Sequence, residues 1–251
     1  MKVRGHKITM LTAYDFPTAR LLDRAGVEAI LVGDSLSMVV QGHENTLSVS
    51  LDQIIYHAEM VGRAVEQALV VVDMPFPTYH LGIHKTIENA ARIIKQTRCQ
   101  AVKLECGARQ AEIISALASA GIPVMAHVGL SPQAVHQLGG YKVQRDEERL
   151  LHDAETAEQA GAFAVLLECV SSKIAKKITE SLQVPTIGIG AGAVCDGQVL
   201  VVNDMLGLTS GYVPRFARKY ADLQGVITDA VTRFRDDIRS GDFPGEPESY
   251  K

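Results

Sequence analysis

The feature that most constrains this chain is a rhythm repeated along it: a short apolar run, a loop carrying polar residues or glycine, then a longer segment with helical periodicity. Ile8 to Ala13 reads as a first strand, and Thr18 to Ala25, ended by Gly26, as its helix. Ala29 to Gly33 is the second strand, with Leu51 to Val65 helical after a long loop. Leu69 to Asp73 is the third, followed by a Pro-rich loop and a helix from Ile87 to Lys95. Ala101 to Glu105 precedes helix Gln110 to Ala120, Pro123 to His127 precedes helix Glu147 to Ala160, and Ala164 to Glu168 precedes helix Ser172 to Leu182. Pro185 to Ile189 reads as strand seven with a very short helix after it, Val199 to Val202 as strand eight, and Tyr220 to Arg239 as the closing helix.

These strands are continuous apolar runs without inside/outside alternation, the pattern of parallel strands covered by helices on both faces. A doubly wound open sheet uses the same units but rarely needs eight, and no Gly-x-Gly-x-x-Gly turn follows the first strand. The expected fold is therefore a (β/α)8 barrel, for which 251 residues is an ordinary length. A single domain over residues 1–251 is expected, with an irregular tail at 240–251 rich in Pro, Gly and acid.

With 47% hydrophobic and 22% charged residues the chain can bury a full-sized core. A net charge of -4 offers no field to attract nucleic acid or an anionic membrane surface, so a small-molecule substrate is expected. The basic start Met1-Lys2-Val3-Arg4 reaches polar Thr12 and Asp15 too soon for a secretory core, and no apolar run approaches the roughly 20 residues of a membrane span. A cytoplasmic protein is the expectation. Cys99, Cys106, Cys169 and Cys195 lie far apart with no Cys-x-x-Cys pair and read as reduced, mostly buried thiols.

In a barrel of this kind the site is built at the carboxyl ends of the strands. Consecutive apolar runs end there in ionisable residues: Asp34, Asp73, Lys103 with Glu105, His127 and Glu168. A single such Asp is usually a helix cap; five strands in succession weaken that reading. Carboxylates held together at a rim raise one another's pKa unless a cation sits among them, and an all-oxygen donor set suits Mg²⁺ better than zinc. Lys103 and Glu105, two apart on a strand, leave the same face. Lys103 can hold a substrate carboxylate; a Schiff-base role would need a depressed pKa, which nearby acids oppose.

Several other features admit two readings. Gly188-Ile189-Gly190-Ala191-Gly192 suits either a backbone-amide cradle for phosphate or a tight turn that lets another segment approach closely. Ser131-Pro132 reads as a helix start, and Gly139-Gly140-Tyr141-Lys142 as a loop that could close over a ligand. Asp15 is a possible rim residue and His43 a loop residue near the mouth.

Along nearly its whole length the chain resembles the ketopantoate hydroxymethyltransferase family. The segments that carry the likeness are Met10-Leu11-Thr12-Ala13-Tyr14-Asp15, Leu31-Val32-Gly33-Asp34-Ser35-Leu36, Asp73-Met74-Pro75-Phe76 and Val102-Lys103-Leu104-Glu105. They continue through Ala126-His127-Val128-Gly129-Leu130, Gln137-Leu138-Gly139-Gly140-Tyr141, Leu167-Glu168-Cys169, Ile187 to Gly192 and Cys195-Asp196-Gly197-Gln198. The resemblance implies a (β/α)8 barrel of the phosphoenolpyruvate/pyruvate-domain type and a place in pantothenate, hence coenzyme A, synthesis. It implies Mg²⁺ held by Asp34 and Asp73, with Glu105 close by directly or through water. Asp34, Ser35, Asp73 and Lys103 are implied in substrate binding, Glu168 as the proton-transferring carboxylate, and 5,10-methylenetetrahydrofolate as one-carbon donor. A decamer of two stacked pentamers is also implied. Pro77 to Gly82 and Ala193-Val194 depart from the small residues common in the family at those places.

Two rival readings share the barrel. One is a metal-dependent lyase or transferase acting on a carbon-carbon bond beside a 2-oxo acid, from which the segments around Glu168 and Gly188 to Gln198 distinguish this chain. The other is a catalytically silent metabolite-binding or scaffolding barrel, against which the intact Asp34, Asp73, Lys103, Glu105 and Glu168 speak.

Overall fold

The structure, a computed structural model, describes residues 1–138, 140 and 142–250. The chain divides into two compact units, Met1–Val201 and Val202–Lys251.

In the first unit eight parallel strands close a barrel in sequence order: β1 (Ile8–Thr12), β2 (Ala29–Val32), β3 (Leu69–Asp73), β4 (Ala101–Glu105), β5 (Val124–Gly129), β6 (Ala164–Glu168), β7 (Thr186–Ile189) and β8 (Gly197–Leu200). Closure comes from β8 pairing with β1, Ile8 opposite Gly197. Helices α1 (Phe16–Arg24), α2 (Leu36–Val39), α3 (Leu51–Ala64), α4 (Ile83–Gln96), α5 (Ala111–Ser119), α6 (Val135–Leu138), α7 (Glu147–Gln159) and α8 (Ser172–Ser181) connect the strands. The second unit holds α9 (Val202–Leu206) and α10 (Leu223–Ser240).

Alternate strand residues Met10, Ala29, Leu31, Val71, Ala101, Met125, Ala164, Leu166, Ile187 and Val199 form one buried cluster. Small residues face large ones there, so the interior fills. Each of the larger side chains contributes roughly 1.5–3 kcal/mol by leaving water. With the centre of the barrel a packed core, polar chemistry is left to the strand ends and loops.

Local boundaries follow from particular contacts. Helix α1 begins two residues before the expected Thr18 because Asp15 Oδ1 accepts the Thr18 N–H at 2.8 Å and Pro17 falls in the first turn. Asp15 is thus a helix cap. A capping box of Ser50 and Gln53 starts α3 where it was expected. Strand β8 begins at Gly197, two residues ahead of the expected Val199. Gly197 lies so near β1 that a Cβ there would be 2.5 Å from the Ile8 carbonyl oxygen, so a residue type that signals a loop is required inside the strand. Residues 190–196 join β7 to β8 without the short helix expected there.

Gly139 and Tyr141, half of the segment expected to close over a ligand, lie outside the described residues. Among the described residues no helix is long and apolar enough to cross a membrane.

Candidate active site

The carboxyl ends of the five strands β2 to β6 bring six ionisable residues onto one rim. Asp73 ends β3 and its Oδ2 accepts the backbone N–H of Asp34 at 3.0 Å, which pins the turn after β2 beside β3. Gly33 makes this approach possible: a Cβ there would stand 2.8 Å from Ser35 Oγ and 3.5 Å from Asp73 Oδ2. Ser35 occupies the N-cap of α2 yet makes no capping bond with its side chain. Its hydroxyl lies instead 2.8 Å from that of Tyr14, a buried residue just beyond β1.

Register places Asp73 opposite Lys103 and Glu105 opposite His127. Lys103 Nζ is 2.8 Å from Asp73 Oδ1 and 3.3 Å from His127 Nδ1. Burial works to lower the Lys103 pKa, but the carboxylates of Asp73 and Asp34 outweigh it and hold the amine above the ordinary lysine value. The amine stays an ammonium, which disfavours the Schiff-base reading and favours holding an anion.

On the other side of Lys103, His127 reaches towards Glu168 at the end of β6, Nε2 to Oε2 being 3.3 Å. Burial and the Lys103 charge lower the His127 pKa, so the ring is neutral. With the ammonium donating to Nδ1, the ring proton resides on Nε2. That proton faces the Glu168 side of the site without a well-aligned hydrogen bond among the described groups. Glu168 is the partly open member of the set, its side chain 17% exposed. The Cys169 thiol beside it is pushed up to about 11 by burial and the Glu168 charge, which makes it a poor nucleophile.

Gln133, three residues after Leu130 and inside the short helical turn Pro132–Ala134, ties the carboxylates together and was not singled out by the sequence. Its backbone N–H donates to both oxygens of Glu105 at 3.2 Å, and its Nε2 to Asp34 Oδ2 at 2.8 Å and to the Met74 carbonyl at 3.2 Å. The Tyr79 hydroxyl donates to its Oε1 at 2.7 Å. Ser131-Pro132 does start a helical turn, although Ser131 makes no side-chain capping bond. The residue that reaches the site is the one after them.

Asp34, Asp73 and Glu105 are all buried, with one ammonium among them. Burial and the Asp73 charge push Asp34 up to about 7, and burial with the Asp34 charge raises Glu105 well above the usual carboxylate range. Asp73 Oδ1, though beside Lys103, accepts no well-aligned hydrogen bond. Three buried carboxylates against one ammonium, an all-oxygen donor set with a surplus of negative charge, fit a hard divalent cation. Among the described residues no three His, Cys, Asp or Glu side chains gather as a complete cluster. Such a cation would therefore rest on one or two carboxylates and complete its shell with substrate and water, the usual habit of Mg²⁺.

The glycines after β7 show close packing. Gly192 has φ 84°, and a Cβ there would meet that of Ser172 at 2.7 Å, which fits the tight-turn reading of that segment. His43 is exposed in a loop, where its N–H donates to the Ser37 carbonyl.

Residues 1–246 match the model of the family described as ketopantoate hydroxymethyltransferase. A 3-methyl-2-oxobutanoate hydroxymethyltransferase of Rhodopirellula baltica is 57% identical over 251 residues, covering all of this chain and 93% of that protein. One of Desulforapulum autotrophicum is 54% identical, covering all of this chain and 95% of that protein. Among solved structures, a phosphonopyruvate hydrolase complexed with oxalate and Mg²⁺ superposes with a TM-score of 0.65 at 14% identity, over 98% of this chain and 89% of that one. A 2,3-dimethylmalate lyase of the phosphoenolpyruvate mutase/isocitrate lyase superfamily gives 0.60 at 16% identity, over 98% and 87%. At these identities the structural likeness speaks for the barrel alone.

Proposed function

The chain belongs to the ketopantoate hydroxymethyltransferase family, and on that premise we propose that it moves a one-carbon unit from 5,10-methylenetetrahydrofolate to 3-methyl-2-oxobutanoate. The products are 2-dehydropantoate and tetrahydrofolate, with water supplying the new hydroxyl. The observation that carries this reading at the site is the buried arrangement of Asp34 and Asp73 beside the Lys103 ammonium, with Glu168 across His127.

Asp34 and Asp73 would hold Mg²⁺, with Glu105 near enough to act through water. When bound, the ion supplies Lewis-acid stabilisation for negative charge that builds on the keto oxygen of the substrate. Lys103 supplies the cation for the substrate carboxylate, and Ser35, oriented by Tyr14, supplies a hydroxyl beside Asp34. Glu168 accepts the proton from C3. Neutral His127 keeps its Nε2 proton on the Glu168 side and so orients that carboxylate without neutralising it. The carbon nucleophile left at C3 attacks the methylene carbon, and one of its two carbon-nitrogen bonds to the folate breaks, that nitrogen taking up the proton removed from C3. Water then displaces the second nitrogen, which takes a proton from it, leaving the hydroxyl on the new carbon and free tetrahydrofolate.

The four cysteines are free thiols, which supports a reducing compartment, and we place the reaction in the cytoplasm. We also read the protein as a homo-oligomer, a decamer by family. Val226, Val231, Phe234 and Ile238, exposed apolar residues of α10, are available to a neighbouring copy.

The deciding experiment is proton NMR of 3-methyl-2-oxobutanoate with the purified protein, methylenetetrahydrofolate and Mg²⁺, repeated with a chelator in place of the metal. Metal-dependent appearance of 2-dehydropantoate is the expected result. No product from folded protein would turn the reading towards a lyase on the same barrel or a silent one.

A further inference from the structure

We propose that Gln133 is a positioning residue that sets the two acids flanking the cation position, and that Tyr79 fixes the direction of its amide. The proposal rests on the reading that Asp34 and Asp73 hold a divalent cation.

Gln133 reaches two carboxylates from one residue. Its main chain serves Glu105, which ends β4, and its side chain serves Asp34, which follows β2. These positions are 28 and 99 residues away in sequence, so no local structure would bring them together. The amide has one workable orientation. Both hydrogens of Nε2 are taken by acceptors, the Met74 carbonyl, which cannot donate, and Asp34 Oδ2, which cannot when ionised. Turned over, Oε1 would face a carboxylate and a carbonyl in a buried place. The Tyr79 hydroxyl at 2.7 Å completes the lock from the other side, and Tyr79 is only 1% exposed.

Asp34 therefore has one oxygen fixed by a neutral donor. A neutral donor holds the carboxylate without cancelling its charge, unlike the Lys103 ammonium beside Asp73. Two acids that repel each other, both buried, need such a tie to stay close when no cation is present. Partners of this outer kind change metal affinity by about 10–100-fold when removed. The Met74 contact ties the same amide to the loop after β3, so the spacing between the ends of β2 and β3 is set together with the Asp34 rotamer.

The test is direct Mn²⁺ binding by the full chain, followed by electron paramagnetic resonance of the free ion in the presence of 3-methyl-2-oxobutanoate, with thermal unfolding as a control. Gln133→Met keeps the length and the main-chain N–H to Glu105 but removes the side-chain donors to Asp34 and Met74; its Kd for Mn²⁺ should rise about 10–100-fold. Activity should return towards the wild-type kcat at saturating metal, because the reacting groups are untouched. Tyr79→Phe should raise the Kd several-fold, and the double variant should bind no more weakly than Gln133→Met alone. Should Gln133→Met fail to fold, Tyr79→Phe carries the test. Wild-type affinity in a folded Gln133→Met, or in Tyr79→Phe, overturns the assignment while leaving the metal reading intact. No Mn²⁺ binding by the wild-type chain would remove both.

Discussion

Lys103 Nζ stands 2.8 Å from Asp73 Oδ1 with the two side chains only 7% and 4% exposed, so the ammonium of β4 and the carboxylate of β3 compensate each other inside the barrel mouth. Removing one member strands the other charge at a cost of about 3–5 kcal/mol, whereas removing both together can be nearly neutral. Lys103→Met should therefore destabilise the metal-free protein by roughly that amount in urea unfolding. Lys103→Met with Asp73→Asn should recover most of it. Equal stability of wild type and Lys103→Met would show that the pair has no such role.

Asp34 supplies a second prediction through pH. Its folded pKa, about 7, lies above the ordinary 3.8, mainly because burial disfavours the charge. Below 3.8 the carboxyl is protonated in both states. Between 3.8 and about 7 the folded chain keeps a proton that the unfolded chain releases, so stability falls as pH rises through this window. Asp34→Asn stays neutral throughout. At pH 8 the metal-free variant should melt several degrees above metal-free wild type, given roughly 2–4 °C per kcal/mol for a chain of this size. At pH 4 the two should coincide. Adding Mg²⁺ should raise the melting temperature of wild type and leave the variant unchanged.

The sequence is most legible where one residue type has one local meaning. Continuous apolar runs identify all eight strands, and the charged residues that close five of them do converge on one rim. Boundaries slip where tertiary contact overrides local meaning. Gly197 belongs inside β8 because Ile8 leaves no room for a Cβ, and Asp15 turns out to cap α1. Gln133 was illegible for a different reason. A glutamine after a Ser-Pro turn has no local signature, and its importance comes from Asp34, Glu105, Met74 and Tyr79, brought to it by barrel closure. Likewise the direction of the Lys103 ion pair, to Asp73 rather than along its own strand to Glu105, depends on the register between β3 and β4.

Glu168 separates proton transfer from binding. Glu168→Gln keeps the shape of the side chain and its contact with His127 but cannot accept a proton. Hydrogen exchange at C3 of 3-methyl-2-oxobutanoate in D₂O, followed by NMR without folate, should slow by about 10²–10⁴-fold. Mg²⁺-dependent binding of the 2-oxo acid, measured by calorimetry, should stay within a few-fold of wild type. Exchange at the wild-type rate would remove Glu168 as the base.

The pairing of Tyr14 with Ser35 separates binding from chemistry in the opposite sense. Burial raises the Tyr14 pKa above the ordinary tyrosine value, so its hydroxyl stays protonated and can hold Ser35 Oγ at 2.8 Å. The backbone supports this placement, because the Tyr14 carbonyl is 2.6 Å from His57 Nδ1 on α3. Tyr14→Phe retains the ring and its packing while freeing the Ser35 hydroxyl to turn away from its place beside Asp34. A net hydrogen bond is worth about 0.5–1.5 kcal/mol. The KM for the 2-oxo acid should accordingly rise by roughly 2–10-fold with kcat nearly unchanged, since neither hydroxyl carries the C3 proton. Ser35→Ala should show the same split at least as strongly, and adding Tyr14→Phe to it should cost little more. If Tyr14→Phe instead lowers kcat at saturating substrate, the tyrosine acts in the chemical step, and the Ser35 hydroxyl is not what it serves.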